Sequence, residues 1–69
     1  MWKCYLAELM KERNLPQYKV AEETGISEPT IARLYHNNSI RVELRVLDVL
    51  TEYFNLEDGS ELFRYEKKR

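Results

Sequence analysis

The chain has little cysteine or histidine, the residues through which disulfides or zinc ions stabilise many small folds. Its 69 residues include one cysteine, Cys4, and one histidine, His36. A single cysteine cannot form an intramolecular disulfide, and one Cys with one His falls short of a structural zinc ligand set. We therefore expect no metal and no cofactor. The fold must be held by side-chain packing, and a chain of this length is near the lower limit for that.

Long apolar runs, linkers and repeats are also missing from the sequence. No apolar run approaches the roughly 20 residues needed to cross a bilayer, so we expect no membrane contact and a cytoplasmic location. The chain has only two glycines and two prolines, and it has no low-complexity stretch. We expect residues 1–69 to form a single domain.

Groups suited to catalysis are equally sparse. Cys4 and His36 lie far apart in sequence, and the chain contains no Ser-His-Asp set, metal-ligand cluster or phosphate-binding glycine loop. Gly25 and Gly59 are both explained by turns. These absences favour a binding protein over an enzyme, and they give no reason to expect a small-molecule ligand.

The most informative segment runs from Gln17 to Leu34. Its small or apolar residues Val20, Ala21 and Thr24 recur at i, i+3 and i+4 spacing, which predicts one inward face of a helix. Gly25 follows where a helix usually ends in a left-handed residue, a conformation that glycine adopts at least cost. The sequence therefore predicts a helix that stops at Gly25.

A second helix is expected to begin after a tight turn. Ile26 can fill the angle between the two helices, Ser27 can cap the second helix, and Pro29 suits its first turn. Ile31 and Leu34 then face inward. The side chains left facing outward are able to bond base edges and phosphates: Glu28, Thr30, Arg33, His36 and Asn37.

This segment resembles the helix-turn-helix of the phage repressor and Cro family. The shared order is Gln, two residues, Val-Ala, three residues, Gly-Ile-Ser, then Thr-Ile and Arg-Leu. The opening MWKCYLAELMKERNLPQ is similar to that of small bacterial members, whose first helix carries a Leu-x-x-Leu-Met pattern. The resemblance extends over about residues 6–63. It implies a small transcriptional regulator that binds double-stranded DNA sequence-specifically, with its third helix in the major groove.

The resemblance and the apolar spacing together predict a mainly helical, five-helix repressor-like bundle. The five helices are expected at about residues 5–13, 16–24, 28–36, 43–54 and 58–62. Two positions depart from the family pattern. Pro16 stands where Ser or Thr commonly precedes the Gln, which removes a side-chain cap, and Glu61-Leu62 stands where the last helix commonly has paired leucines.

Aromatic residues cluster at the two ends of the sequence. Alternation in Trp2-Lys3-Cys4-Tyr5 and in Leu62-Phe63-Arg64-Tyr65-Glu66 predicts two short strands, which aromatic cross-strand pairs would stabilise. The alternative is an aromatic platform that stacks single-stranded nucleic acid. A core this small needs the same residues for closure, which favours the sheet.

The fourth predicted helix has a wide apolar face. Its apolar side chains sweep about 220° of arc, more than the 100–140° stripe of an ordinary surface helix. One interpretation is that this helix is central in the monomer. The other is a homodimer, formed either in free solution or only on DNA, with Leu44 and Leu47 towards the core and Val46, Val49 and Tyr53 towards the partner.

Twelve residues are candidate DNA contacts. Helix ends and side-chain amides suit phosphate, and exposed polar groups at the start of the third helix suit base edges. Plain structural roles are open for some of them: Glu28 can favour the helix dipole, and the two asparagines can form a cap or turn. The candidates are Gln17, Tyr18, Lys19, Ser27, Glu28, Pro29, Thr30, Arg33, His36, Asn37, Asn38 and Arg41.

The formal net charge of −1 argues mildly against a nucleic-acid partner. Its distribution weakens the objection, because Arg33, Arg41 and Arg45 fall in the segment that includes the third helix, whereas residues 48–61 contain five acids and no base. Two functions therefore stay open. One is DNA binding, and the other is a protein-interaction module of the same fold without DNA affinity, which the acidic balance and Glu28 motivate.

Overall fold

The computed structural model describes residues 1–38 and 41–67. Within these ranges the chain forms four α-helices, one 3-10 turn and one sheet of two strands. In chain order they are β1 (Trp2–Cys4), α1 (Leu6–Glu12), α2 (Gln17–Thr24), α3 (Glu28–Tyr35), α4 (Leu44–Tyr53), the 3-10 turn (Gly59–Glu61) and β2 (Phe63–Tyr65). The first four predicted helices are confirmed to within one residue at each end.

The fifth predicted helix, at 58–62, is wrong. The segment forms a single 3-10 turn at Gly59–Glu61. Asp58 accepts a hydrogen bond from the Ser60 N–H at 3.0 Å, and the Glu61 carboxylate accepts from the Asp58 N–H at 3.2 Å. These two bonds close one turn locally. Leu62 then enters the core and the chain continues directly into β2, which leaves no room for an α-helix.

The predicted pairing of the two ends of the sequence is confirmed. β1 and β2 are antiparallel, with Trp2 opposite Tyr65 and Cys4 opposite Phe63. The rings of Trp2 and Tyr65 meet edge to face, with 5.6 Å between their centroids. The sheet is packed on the helices through Cys4 and Leu62, both of which are buried. Burial raises the pKa of the Cys4 thiol to about 11, so the thiol is protonated at neutral pH.

One apolar core lies between the helices and the sheet. No polar or charged side chain within the described ranges is buried in it. Its largest fully buried side chains come from every helix and from the segment before β2. They are Leu6, Met10, Val20, Ile31, Leu34, Leu50 and Leu62.

The orientation predicted for the fourth helix is wrong at Leu44 and Val46, whereas Leu47 packs against the core as expected. Leu44 was expected in the core but is 77% exposed, and Val46 was expected at a partner surface but is only 6% exposed. The buried stripe of α4 passes through Val46, Leu50 and Phe54, an i, i+4, i+8 series on one face. A wide apolar arc leaves this choice of face undetermined in the sequence, and packing against α2 decides it.

Candidate nucleic-acid interface

The turn between α2 and α3 is fixed by local hydrogen bonds and one buried side chain. Gly25 adopts a left-handed φ of 77°, and its N–H donates to the Ala21 carbonyl at 2.9 Å. The Thr24 hydroxyl donates to the Val20 carbonyl at 2.6 Å and accepts from the Ile26 N–H at 3.2 Å. Ile26 is buried between the helices. The angle between α2 and α3 is therefore set by several independent contacts.

Thr24 has a hydrogen-bonding role in the turn in addition to its place on the inner face of α2. The sequence pattern placed it among the small residues of the inner helix face, but its hydroxyl joins the last turn of α2 to the chain after Gly25. A threonine directly before a C′ glycine is a local signal for such a bond, because its hydroxyl can reach both the carbonyl four residues earlier and the N–H after the turn.

The start of α3 is capped as the sequence predicted. The Ser27 hydroxyl accepts from the Thr30 N–H at 3.4 Å and shares a hydrogen bond with the Thr30 hydroxyl at 2.8 Å. Glu28 and Pro29 are exposed in the first turn, and Arg33 is exposed one turn further along. Because Ile31 and Leu34 are buried on the opposite side, α3 presents a polar outer face made of short and charged side chains.

An open groove lies between α3 and the segment that leads into α4. Its volume is about 320 Å³. Thr30 and Arg33 line it from α3, and Arg41 and Glu43 line it from the other side. The fold thus brings Arg33 and Arg41 to a shared groove, although they are eight positions apart in the chain. Two guanidinium groups on opposing walls can each donate to a phosphate oxygen or a base edge.

The start of α2 has no side-chain cap among the described contacts. Pro16 occupies the N-cap position with an extended backbone, so the cap expected of Ser or Thr in the family is absent. The first N–H groups of a helix have no intrahelical partner, and those of Gln17 and Tyr18 lie at this end. Gln17 is half-buried and Tyr18 is exposed, whereas Lys19 forms an ion pair with Glu23 at 3.5 Å.

Tyr53 braces this region from α4. Its hydroxyl donates to the Glu23 carboxylate, a contact between helices that the sequence did not reveal. The hydrogen bond raises the pKa of Tyr53 to about 12 and lowers the pKa of Glu23 below its ordinary value. Both groups are near solvent, so the bond orients α2 against α4 without burying a charge.

The residues after α3 fall into two groups. His36 and Asn38 are exposed, and the Asn38 N–H closes the end of the helix by donating to the Arg33 carbonyl at 2.9 Å. Asn37 instead turns its side-chain amide towards β1, where it bonds to both backbone groups of Cys4. The side chains of His36 and Asn38 are available to a ligand, whereas the amide of Asn37, which is also exposed, is already hydrogen-bonded to Cys4.

The arrangement of α2, the Gly25 turn and α3 defines a helix-turn-helix. The family model described as the Cro/C1-type HTH DNA-binding domain matches residues 5–68. The chain belongs to this family of DNA-binding domains. Comparisons with curated proteins and with solved structures found no significant match. Among the residues the structure describes, no helix is both long and apolar enough to span a membrane.

Proposed function

We propose that the protein is a small Cro/repressor-like transcriptional regulator that binds double-stranded DNA sequence-specifically, with α3 in the major groove. The observation that carries the proposal is the division of α3 into a buried face, Ile31 and Leu34, and an exposed polar face that includes Glu28 and Arg33. A major groove admits one α-helix and presents a distinct hydrogen-bonding pattern for each base pair. Membership of a DNA-binding family supports the same conclusion.

Within this proposal, the start of α3 reads bases. Arg33 can donate two hydrogen bonds to a guanine, Glu28 can accept from a cytosine amino group, and the Thr30 methyl can contact a thymine. Ser27 and Pro29 fix the backbone of the same turn, and in the proposed complex they approach the wall of the DNA major groove. Arg33 is the strongest candidate because it is exposed and the only hydrogen bond of its side chain among the described residues is a long one, 3.4 Å to the Thr30 hydroxyl.

Phosphate contacts flank this base-reading turn on both sides. On one side the uncapped start of α2 supplies free N–H groups together with Gln17, Tyr18 and Lys19. On the other side the groove supplies Arg41, and the end of α3 supplies His36 and Asn38. For Asn37 the bonds to Cys4 favour the structural alternative over a phosphate contact.

We further propose that the protein acts as a homodimer, at least when bound to DNA. A two-fold pair reads two half-sites about one helical turn apart, which multiplies the limited selectivity of one short helix. Leu44 is the apolar side chain that α4 offers to a partner, because it is 77% exposed whereas Val46 is in the core. Leu44 directly follows Glu43, which lines the groove beside α3.

Selection of bound sequences from a random double-stranded DNA pool tests the proposal most directly. An enriched sequence is the expected result, and an inverted repeat in that sequence would support the dimer. No enrichment by the folded protein at low salt would contradict sequence-specific binding. The alternative, a protein-interaction module, is motivated by the net charge of −1 and by exposed Glu28.

Salt dependence separates the two functions. Neutralising several phosphates releases counterions, so DNA affinity should fall about tenfold or more when salt rises from roughly 50 to 200 mM. Binding to a protein through apolar contacts should change little over the same range. Sedimentation of the protein with and without the selected duplex then shows whether it is a monomer or a dimer in each case.

A further inference from the structure

Asn37 directly follows His36, the C-cap residue of α3, and its side chain contacts the backbone of β1. The Cys4 N–H donates to Asn37 Oδ1 at 2.6 Å, and Asn37 Nδ2 donates to the Cys4 carbonyl at 3.1 Å. One side chain thus satisfies both backbone groups of a residue 33 positions away. We call this pair of bonds the Asn37–Cys4 clamp.

The clamp occupies the edge of β1 that faces away from β2. The Tyr5 N–H donates to the Leu62 carbonyl at 2.7 Å and the Glu66 N–H donates to the Met1 carbonyl at 2.7 Å, so alternate residues of the β1 segment point towards β2. In an antiparallel pair the residues between them point outwards. Cys4 is one of these, and the Asn37 amide pairs with it as a neighbouring strand would.

The backbone of Asn37 is held in a conformation that suits this reach. Its φ is 59°, in the left-handed region, directly after the C-cap residue His36. Asparagine tolerates this region better than most residues. Asn14 and Asn55 adopt the same conformation, with φ of 54° at each, and neither makes a side-chain hydrogen bond among those described. The clamp is therefore a separate feature and not a consequence of the turn.

The clamp restricts the position and rotation of α3 more than apolar packing alone does. Ile31 and Leu34 attach the helix to the core by apolar contacts, which depend on area and tolerate small sliding or rolling. Two hydrogen bonds to one fixed residue tolerate much less displacement. Cys4 is itself fixed, since its side chain is buried and its strand is paired with β2.

We propose, on the basis of the DNA binding proposed above, that Asn37 is a positioning residue for recognition. It fixes the end of α3 to the terminal sheet and so sets the register of Glu28, Thr30 and Arg33 against the bases, without itself contacting DNA. The terminal sheet, which is formed by residues far from the helix-turn-helix in sequence, then contributes to specificity. Base contacts require placement within a fraction of an ångström, whereas backbone phosphate contacts are more tolerant.

Asn37→Gly isolates the clamp, because glycine retains the left-handed backbone and removes only the side chain. Asn14→Gly and Asn55→Gly are matched controls that make the same substitution at the same φ without a clamp. All variants are compared at a temperature where thermal unfolding shows them to be fully folded. Hydrogen exchange of the Cys4 amide reports the clamp, and binding to the selected duplex and to an unrelated duplex reports specificity.

The expected result has two parts. In Asn37→Gly the Cys4 amide exchanges about tenfold faster than in the parent, as the loss of a hydrogen bond of ordinary strength implies. Affinity for the selected duplex falls about tenfold, while affinity for the unrelated duplex changes less than about twofold, because misplaced base contacts lose more than phosphate contacts do. The two control variants match the parent in both measurements.

Three outcomes would overturn the proposal. Unchanged Cys4 exchange would show that the clamp does not form. Faster exchange with unchanged affinity for the selected duplex would show that the clamp does not position α3. Equal losses on both duplexes would indicate that Asn37 contacts the DNA backbone itself. If the parent binds no duplex, the proposed function fails, and the exchange measurement still tests the clamp independently.

Discussion

Replacing Gly25 by alanine should destabilise the fold through backbone strain alone. A Cβ added at Gly25 meets no heavy atom within 4 Å, so the substitution creates no clash. The residue's φ of 77° lies where an L-residue is strained, and the left-handed conformation costs about 1–2 kcal/mol for a residue with a Cβ. For a domain of this size that loss lowers the melting temperature by roughly 4–16 °C. Valine should cost more, because its branched Cβ narrows the allowed region further.

Gly59→Ala is the matched control for this experiment. A Cβ at Gly59 also meets nothing within 4 Å, but its backbone carries no strained φ. Alanine at a compatible glycine stabilises by about 0.4–1 kcal/mol through the unfolded chain. Thermal unfolding followed by circular dichroism should therefore separate the two variants in opposite directions. Equal melting temperatures for Gly25→Ala and Gly59→Ala would refute the assignment of strain to the turn.

Three further predictions concern binding, assembly and pH. Arg33→Ala should weaken binding to the selected duplex by about 1–3 kcal/mol, while the melting temperature stays that of the parent. Lys11→Ala removes the same charge from α1 and should leave the binding affinity unchanged. If titrations show equal losses of affinity for the two variants, a base contact by Arg33 is excluded. Leu44→Glu should remain folded, since Leu44 is exposed, yet sediment as a monomer where the parent dimerises on DNA, and an unchanged dimer would move the contact elsewhere. Tyr53→Phe removes the hydrogen bond to Glu23. The raised pKa of Tyr53 gives stability that is present below pH 10 and lost as pH rises through about 12, and the lowered pKa of Glu23 gives stability that is lost as pH falls below 4.5. Parent and variant melting temperatures should therefore converge at both extremes of pH, and a constant difference would show that the hydrogen bond is not the cause.

The helix-turn-helix could be predicted because its signals are local. Gly25 at the end of α2, Ser27 at the N-cap of α3 and the inward pair Ile31 and Leu34 each act within a few residues, and they agree with one another. The strand pairing could also be predicted, because alternation indicates a strand and aromatic residues at both ends of the sequence suggest which strands pair. Agreement between independent local preferences is what makes such a segment predictable.

The remaining features depend on contacts that the sequence does not mark. The clamp joins Asn37 to backbone groups of Cys4, and a backbone partner carries no residue-type signal. The face of α4 depends on which part of a wide apolar arc meets α2, so Leu44 and Val46 exchanged their expected places. The segment at 58–62 has a capping pair, Asp58 and Glu61, that serves one 3-10 turn as well as it would begin a helix.

The charge distribution bears on how the proposed recognition could work. The acidic side chains of residues 48–61 are exposed on α4 and the segment after it, whereas Arg33 and Arg41 share the groove beside α3. In the proposed complex, such a separation favours approach of the face that carries Arg33 and Arg41 to DNA, while the net charge stays at −1. The groove itself carries only two described basic groups, Arg33 and Arg41, so counterion release there gives binding to unrelated DNA only a modest free energy. A protein of this kind must therefore derive a larger share of its affinity from base contacts and from pairing of half-sites, and both require that α3 be held in a fixed position. That requirement is a physical reason for the Asn37–Cys4 clamp, which joins α3 to the terminal sheet.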